Sequence, residues 1–137
     1  MKTSVGKFII ALLAASFLFL SCSKDEADMI VGKWQLRDLR YQDVYAETMD
    51  SVFYNFQKGT FSAIRLRKTG EYKTFFGSYS LRNSEISVTL YLDSIEKKEL
   101  YEDVRLSSTE NEYVIKDISS SDMTLSLNDT LMYFRKY

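Results

Sequence analysis

From Glu85 to Leu92 apolar and polar residues alternate without a break. Ile86, Val88, Leu90 and Leu92 fall on one face and Glu85, Ser87, Thr89 and Tyr91 on the other. Side chains of an extended chain point alternately to opposite faces, so period two marks a half-buried strand. The pattern recurs along the chain. Trp34 and Leu36 oppose Lys33, Gln35 and Arg37; Val52, Tyr54 and Phe56 share a face; so do Met123, Leu125 and Leu127. Turn signals separate these runs: Lys58-Gly59, Lys68-Thr69-Gly70, Arg82-Asn83-Ser84, the loop Ser119 to Asp122, and Asn128-Asp129. The predicted strands cover 31–38, 52–56, 60–67, 71–81, 85–92, 112–118, 123–127 and 131–136, with Asp43 to Asp50 as a polar connection. Eight evenly spaced strands joined by short turns predict an all-β domain, a small antiparallel up-and-down barrel. A barrel of eight is just wide enough for its own side chains or one small ligand.

Alternation also names the interior. Tyr54, Phe56, Tyr79, Ile86, Val88, Leu90, Ile115, Leu125 and Leu127 are expected to point inward. Gly77 interrupts the longest strand and is expected to mark a bulge or a sharp bend. Asp93 to Thr109 reads either as a short helix near 95–104 or as a strand from Leu100 to Leu106. The helix is preferred, with Ser94 as its cap and Leu100, Tyr101 and Val104 on its buried side.

The front of the chain has a different grammar. Lys2 and Lys7 precede a nearly unbroken apolar run from Phe8 to Leu20. At about 13 residues the run is too short to span a bilayer, which needs about 20. It has the length of a signal-peptide core. The junction Phe19-Leu20-Ser21-Cys22 resembles a bacterial lipobox, with Phe19 where Leu is usual. That resemblance implies a signal peptide over 1–21, diacylglycerol and a further acyl chain such as palmitate on Cys22, and a lipidated N-terminus and tether over 22–30. It also gives a role to the sole cysteine, which has no disulfide partner. Lys24-Asp25-Glu26 resembles the export signal of Bacteroidetes surface lipoproteins. The expected location is therefore the bacterial outer membrane, exposed at the cell surface or, alternatively, facing the periplasm.

Without residues 1–21 the chain keeps 116 residues, 16 basic and 19 acidic. That is one domain, 31–137, and its mild acidity argues against a nucleic-acid partner. The sequence has no histidine and no proline. With Cys22 acylated, the absence of histidine excludes most zinc sites and every histidine-based triad. No pair of acidic residues is placed by sequence across a cleft, and no glycine-rich phosphate loop or acidic calcium loop occurs. No catalytic residue, metal ligand or cofactor is expected.

Gly32-Lys33-Trp34 opens the first strand, as the Gly-x-Trp motif does in lipocalins. It is followed by Tyr54-Asn55-Phe56-Gln57-Lys58-Gly59-Thr60-Phe61, Gly77-Ser78-Tyr79-Ser80-Leu81, Met123-Thr124-Leu125 and Tyr133-Phe134-Arg135. This series resembles the small lipocalin-like domains of Bacteroidetes lipoproteins. The resemblance implies that Arg135 packs over Trp34 to close the barrel base, with Gly32 in the same motif. It implies a non-enzymatic protein held to the membrane through Cys22. Two functions follow as expectations: a barrel holding a small hydrophobic ligand, or a solid barrel whose surface binds a protein or glycan at the cell surface.

Overall fold

The computed structural model describes residues 25–42, 44–92 and 96–137. The readings on the signal, on Cys22 and on Ser94 lie outside them. A short helix α1 (Glu26–Met29) precedes β1 (Gly32–Tyr41), β2 (Val44–Thr48), β3 (Val52–Gln57), β4 (Thr60–Leu66), β5 (Tyr72–Arg82) and β6 (Glu85–Leu90). Helix α2 (Lys97–Val104) then leads to β7 (Glu110–Ile118), β8 (Asp122–Leu127) and β9 (Thr130–Lys136). Every pairing is antiparallel between neighbours in the order β1-β3-β4-β5-β6-β7-β8-β9, and β1 pairs with β9 to close an eight-stranded barrel.

The expected connection at 43–50 is a correction, because it contains β2. This strand pairs with Asp38–Tyr41 on the edge of β1 that β3 uses lower down, over Gly32–Gln35. Its sequence lacks an alternating apolar face, and Val44 is exposed. Such a strand is held by its ladder to one neighbour rather than by a buried stripe, so periodicity does not reveal it.

Strand β1 also bulges. Between Leu36 and Asp38 its register to β9 shifts by one residue. A one-residue slip reverses every side chain beyond it. Leu36 therefore faces in, and so does Leu39, where uninterrupted alternation would have turned Asp38 inward. A second shift lies between Ile115 and Asp117 on β7. The bulge expected at Gly77 is not there: Gly77 pairs in register with Phe61 on one side and Leu90 on the other. Glycine is needed for space instead. A Cβ at Gly77 would stand 2.2 Å from the carbonyl oxygen of Thr89.

The interior is filled largely by rings. Tyr54, fully buried, has Phe61 at 5.4 Å, Phe134 at 5.1 Å and Tyr113 at 6.4 Å between centroids. Phe56 meets Phe61 and Tyr79 near 5 Å. Edge and tilted contacts of this kind add roughly 0.5–1.5 kcal/mol each beyond area burial.

Candidate functional site

The two ends of the barrel differ. At the end where β1 begins, Trp34 is fully buried and its Nε1 donates to the Ile30 carbonyl at 2.8 Å. Ile30 is itself buried, so the stretch expected as tether joins the core by its last residue. Asp25 caps α1 by accepting from the Asp28 amide. The cation over the indole is Lys136, with Nζ 4.4 Å from the ring centroid, and this corrects the expectation for Arg135. The ladder gives the reason. Trp34 stands opposite Lys136, so both side chains take one face, whereas Arg135 stands opposite Gln35 and is exposed. Lys136 also donates to the carbonyls of Met29 and Val31. Gly32 makes room for it: φ is +132° there, and a Cβ would meet the Lys136 Cε and Nζ at 2.7 Å. This end is shut.

At the other end α2 lies across the mouth. Leu100, Val104 and Leu106 are fully buried there, and the Tyr54 hydroxyl donates to the Val104 carbonyl at 2.8 Å. Tyr101, expected on the buried side, is about half exposed, because the buried stripe is the i, i+4 pair Leu100 and Val104. Polar ties hold the helix on two sides. On one, Lys73 of β5 donates to Glu99 at 2.9 Å and to Asp103. Those bonds, to Asp103 first and then Glu99, raise the Lys73 ammonium above its ordinary range. On the other, Arg105 donates to both carboxylate oxygens of Glu47 in β2, at 2.9 and 3.0 Å. Arg105 ends α2 in the left-handed region, φ 61°, and folds its guanidinium back onto the carbonyls of Tyr101 and Glu102. A cation there complements the helix dipole.

Beside α2 a cleft of about 270 Å³ remains. Leu39, Leu127 and Met132 form its apolar floor, and Tyr41, Tyr101, Arg105, Ser107 and the Asn128–Thr130 turn form its polar rim. Arg105 Nε is buried without an acceptor, as are Arg65 Nη1 and the Tyr113 hydroxyl. Burial raises the phenols of Tyr54 and Tyr113 well above the ordinary tyrosine range. Among the described residues no group of three acidic or thiol side chains could hold a metal, and no helix is long and apolar enough to cross a membrane.

Of the interior positions read from the sequence, Tyr54, Phe56, Ile86, Val88, Leu90, Ile115 and Leu125 are buried in one core. Tyr79 and Leu127 pack partly buried against it. Only Leu127 reaches the cleft. Sequence reasoning missed Leu39, which the β1 bulge turns inward, and Arg105, whose left-handed backbone carries no glycine to signal it. Met132 could have been found, because it alternates with Phe134.

The lipocalin-like domain family matches residues 17–137. The chain belongs to this family. A lipocalin-like protein from Bacteroides uniformis is 43% identical, with a TM-score of 0.71 over 80% of this chain and 99% of its own. An uncharacterized protein from Bacteroides eggerthii is 35% identical, with a TM-score of 0.67 over 78% of this chain and 98% of its own. No protein of curated function matches. None of these lipocalin-like matches indicates an enzyme family. The fold they share with this barrel suggests a small-molecule binding protein.

Proposed function

We propose that this protein is a non-enzymatic lipoprotein of the outer membrane, anchored through acyl chains on Cys22, whose barrel mouth binds a small amphipathic molecule. The observation that carries the binding reading is the cleft beside α2, where the apolar side chains of Leu39, Leu127 and Met132 are joined by the polar groups of Tyr41, Tyr101 and Arg105. The cleft lies slightly below the roughly 300–1,000 Å³ of drug-sized sites, so a compact ligand fits. The apolar run before Cys22 and the lipobox-like Phe19-Leu20-Ser21-Cys22 support the anchor.

The ring-filled interior favours a second reading, in which the barrel is solid and its surface binds a protein or glycan. Titration with an apolar fluorescent probe separates them. Saturable binding that is lost on Thr130→Trp, a rim substitution that fills the cleft, is the expected outcome. No binding to the folded domain would favour the second reading.

A further inference from the structure

The outer wall formed by β4, β5 and β6 carries no charge over most of its height. Outward positions alternate with the buried ones, and the ladder sets Ser62 beside Phe76, Ile64 beside Thr74, Leu66 beside Tyr72, and Ser78 beside Thr89. Outward charges return only at the turns and strand ends: Lys58, Arg82 and Glu85 at the shut end, and Arg67, Lys68 and Glu71 at the mouth; the paired Arg65 and Lys73 take the other face. Charged outward positions occur along β7, at Glu110, Glu112 and Lys116, and at Arg135 on β9, whereas Asn55 on β3 and Thr124 and Ser126 on β8 are neutral. On the neutral wall Tyr72 and Phe76 are each 63% exposed and Tyr91 is 67% exposed. Tyr91 lies beside Phe76, since its amide donates to the Phe76 carbonyl at 2.8 Å. A neutral surface with exposed rings marks an interaction face, and aromatic side chains suit the layer between water and lipid.

A second observation says what covers it. The chain enters the fold at the shut end of this same wall. The Ser84 hydroxyl, in the β5–β6 turn, donates to Glu26 of α1 at 2.8 Å, and Ile30 is fully buried. Cys22 lies three residues before Asp25. At full extension three residues span about 10 Å. An acyl anchor at Cys22 therefore holds the foot of the neutral wall within about that distance of the bilayer surface.

We propose that the β4–β6 wall lies on the lipid surface that holds the anchor, with Tyr72, Phe76 and Tyr91 in its interfacial layer. This rests on the acylation of Cys22 put forward above. In the barrel order β9 lies opposite β5 and β1 opposite β6, so the cleft, built from β1, the β8–β9 turn and α2, faces the aqueous phase.

The test uses the chain made with its own signal and isolated from membranes, with the acyl mass on Cys22 measured first. Acylation blocks the only native thiol, so Phe76→Cys, Tyr91→Cys and Arg135→Cys each take one environment-sensitive fluorophore. Each is reconstituted into phosphatidylcholine vesicles containing a nitroxide-labelled phospholipid. Quenching severalfold greater at 76 and 91 than at 135 is expected. Tyr91 lies outside the strands, so the test stands even if Phe76→Cys fails to fold. Equal quenching at the three positions, with the acyl mass present, overturns this inference and leaves the anchor standing. Positions 76 and 91 already shielded without vesicles, and unquenched with them, mean that protein covers the wall, and the lipid assignment falls. A missing acyl mass overturns the anchor itself.

Discussion

At the scale of single residues, the shut end of the barrel turns on which cation crosses the indole. Lys136 reaches Trp34 because both stand on one face of the β1–β9 ladder, and Gly32 clears its path. Trp34→Ala removes the largest fully buried side chain and should cost about 3–5 kcal/mol in urea unfolding. Lys136→Ala should cost about 1 kcal/mol or more through the lost cation–π contact and carbonyl bonds. Arg135→Ala should stay within about 0.5 kcal/mol. The reverse order for the two cations would restore the arginine of the lipocalin resemblance. Gly77→Ala is expected to be as damaging as a core truncation, because its Cβ would meet backbone rather than a yielding side chain. A loss of about 1–3 kcal/mol or more is expected, and a neutral result would mean that β5 and β6 can part locally. Trp34 was legible in the sequence because large aromatics in an alternating strand are seldom left outside. The choice between neighbouring cations was not, because it depends on the register of two strands about a hundred residues apart.

At the scale of elements, α2 decides what the mouth can do. Its apolar stripe is short, with Leu100 and Val104 on the helix and Leu106 just beyond. Much of what fixes its position is polar: Lys73 to Glu99 and Asp103, Arg105 to Glu47, and the Tyr54 hydroxyl to Val104. Three of the groups involved or nearby share a pH dependence. Tyr54 and Tyr113 are raised by burial, and Lys73 by its bonds to Asp103 and Glu99. In each case the unfolded chain gives up its proton first. The folded state then binds more protons, and stability falls as pH rises. That stability is fully present below the unfolded values of about 10 and is lost upward from there, through the raised folded values. Melting temperature should therefore drop steeply above about pH 10, and Tyr113→Phe should blunt the drop. A profile unchanged by that substitution would place Tyr113 in contact with water. The helix itself could be read from Leu100 and Val104 at spacing four, whereas β2 could not, because a strand without an apolar face leaves no period. The bulge in β1 was equally silent, and it moved Leu39 from the outer face to the cleft floor.

At the scale of the whole molecule, the fold places the point of entry at the shut end and the cleft at the mouth. The eight barrel strands were legible because each buries one face against a common core and half of them are followed by a turn of two or three residues. The cleft was not, since it is what α2 leaves uncovered. Attachment belongs to this scale too. Cys22→Ala should leave the protein in the soluble fraction, because the apolar run from Phe8 to Leu20 is too short to span a bilayer by itself. A mutant that still pelleted with membranes would locate the anchor elsewhere. Display is a separate question, carried by Lys24-Asp25-Glu26. Two of these residues also have structural partners: Asp25 caps α1, and Glu26 accepts from Ser84. Losing a cap and one part-buried hydrogen bond costs about 1–3 kcal/mol, so replacement of all three by Ala should weaken α1 while leaving the barrel folded. If the triplet directs export, the triple variant should remain acylated and membrane-bound but resist protease added to whole cells, becoming sensitive once the outer membrane is permeabilised. Cleavage on intact cells at the wild-type rate, in a variant whose melting shows a folded barrel, would reduce the triplet to a helix cap with no part in display.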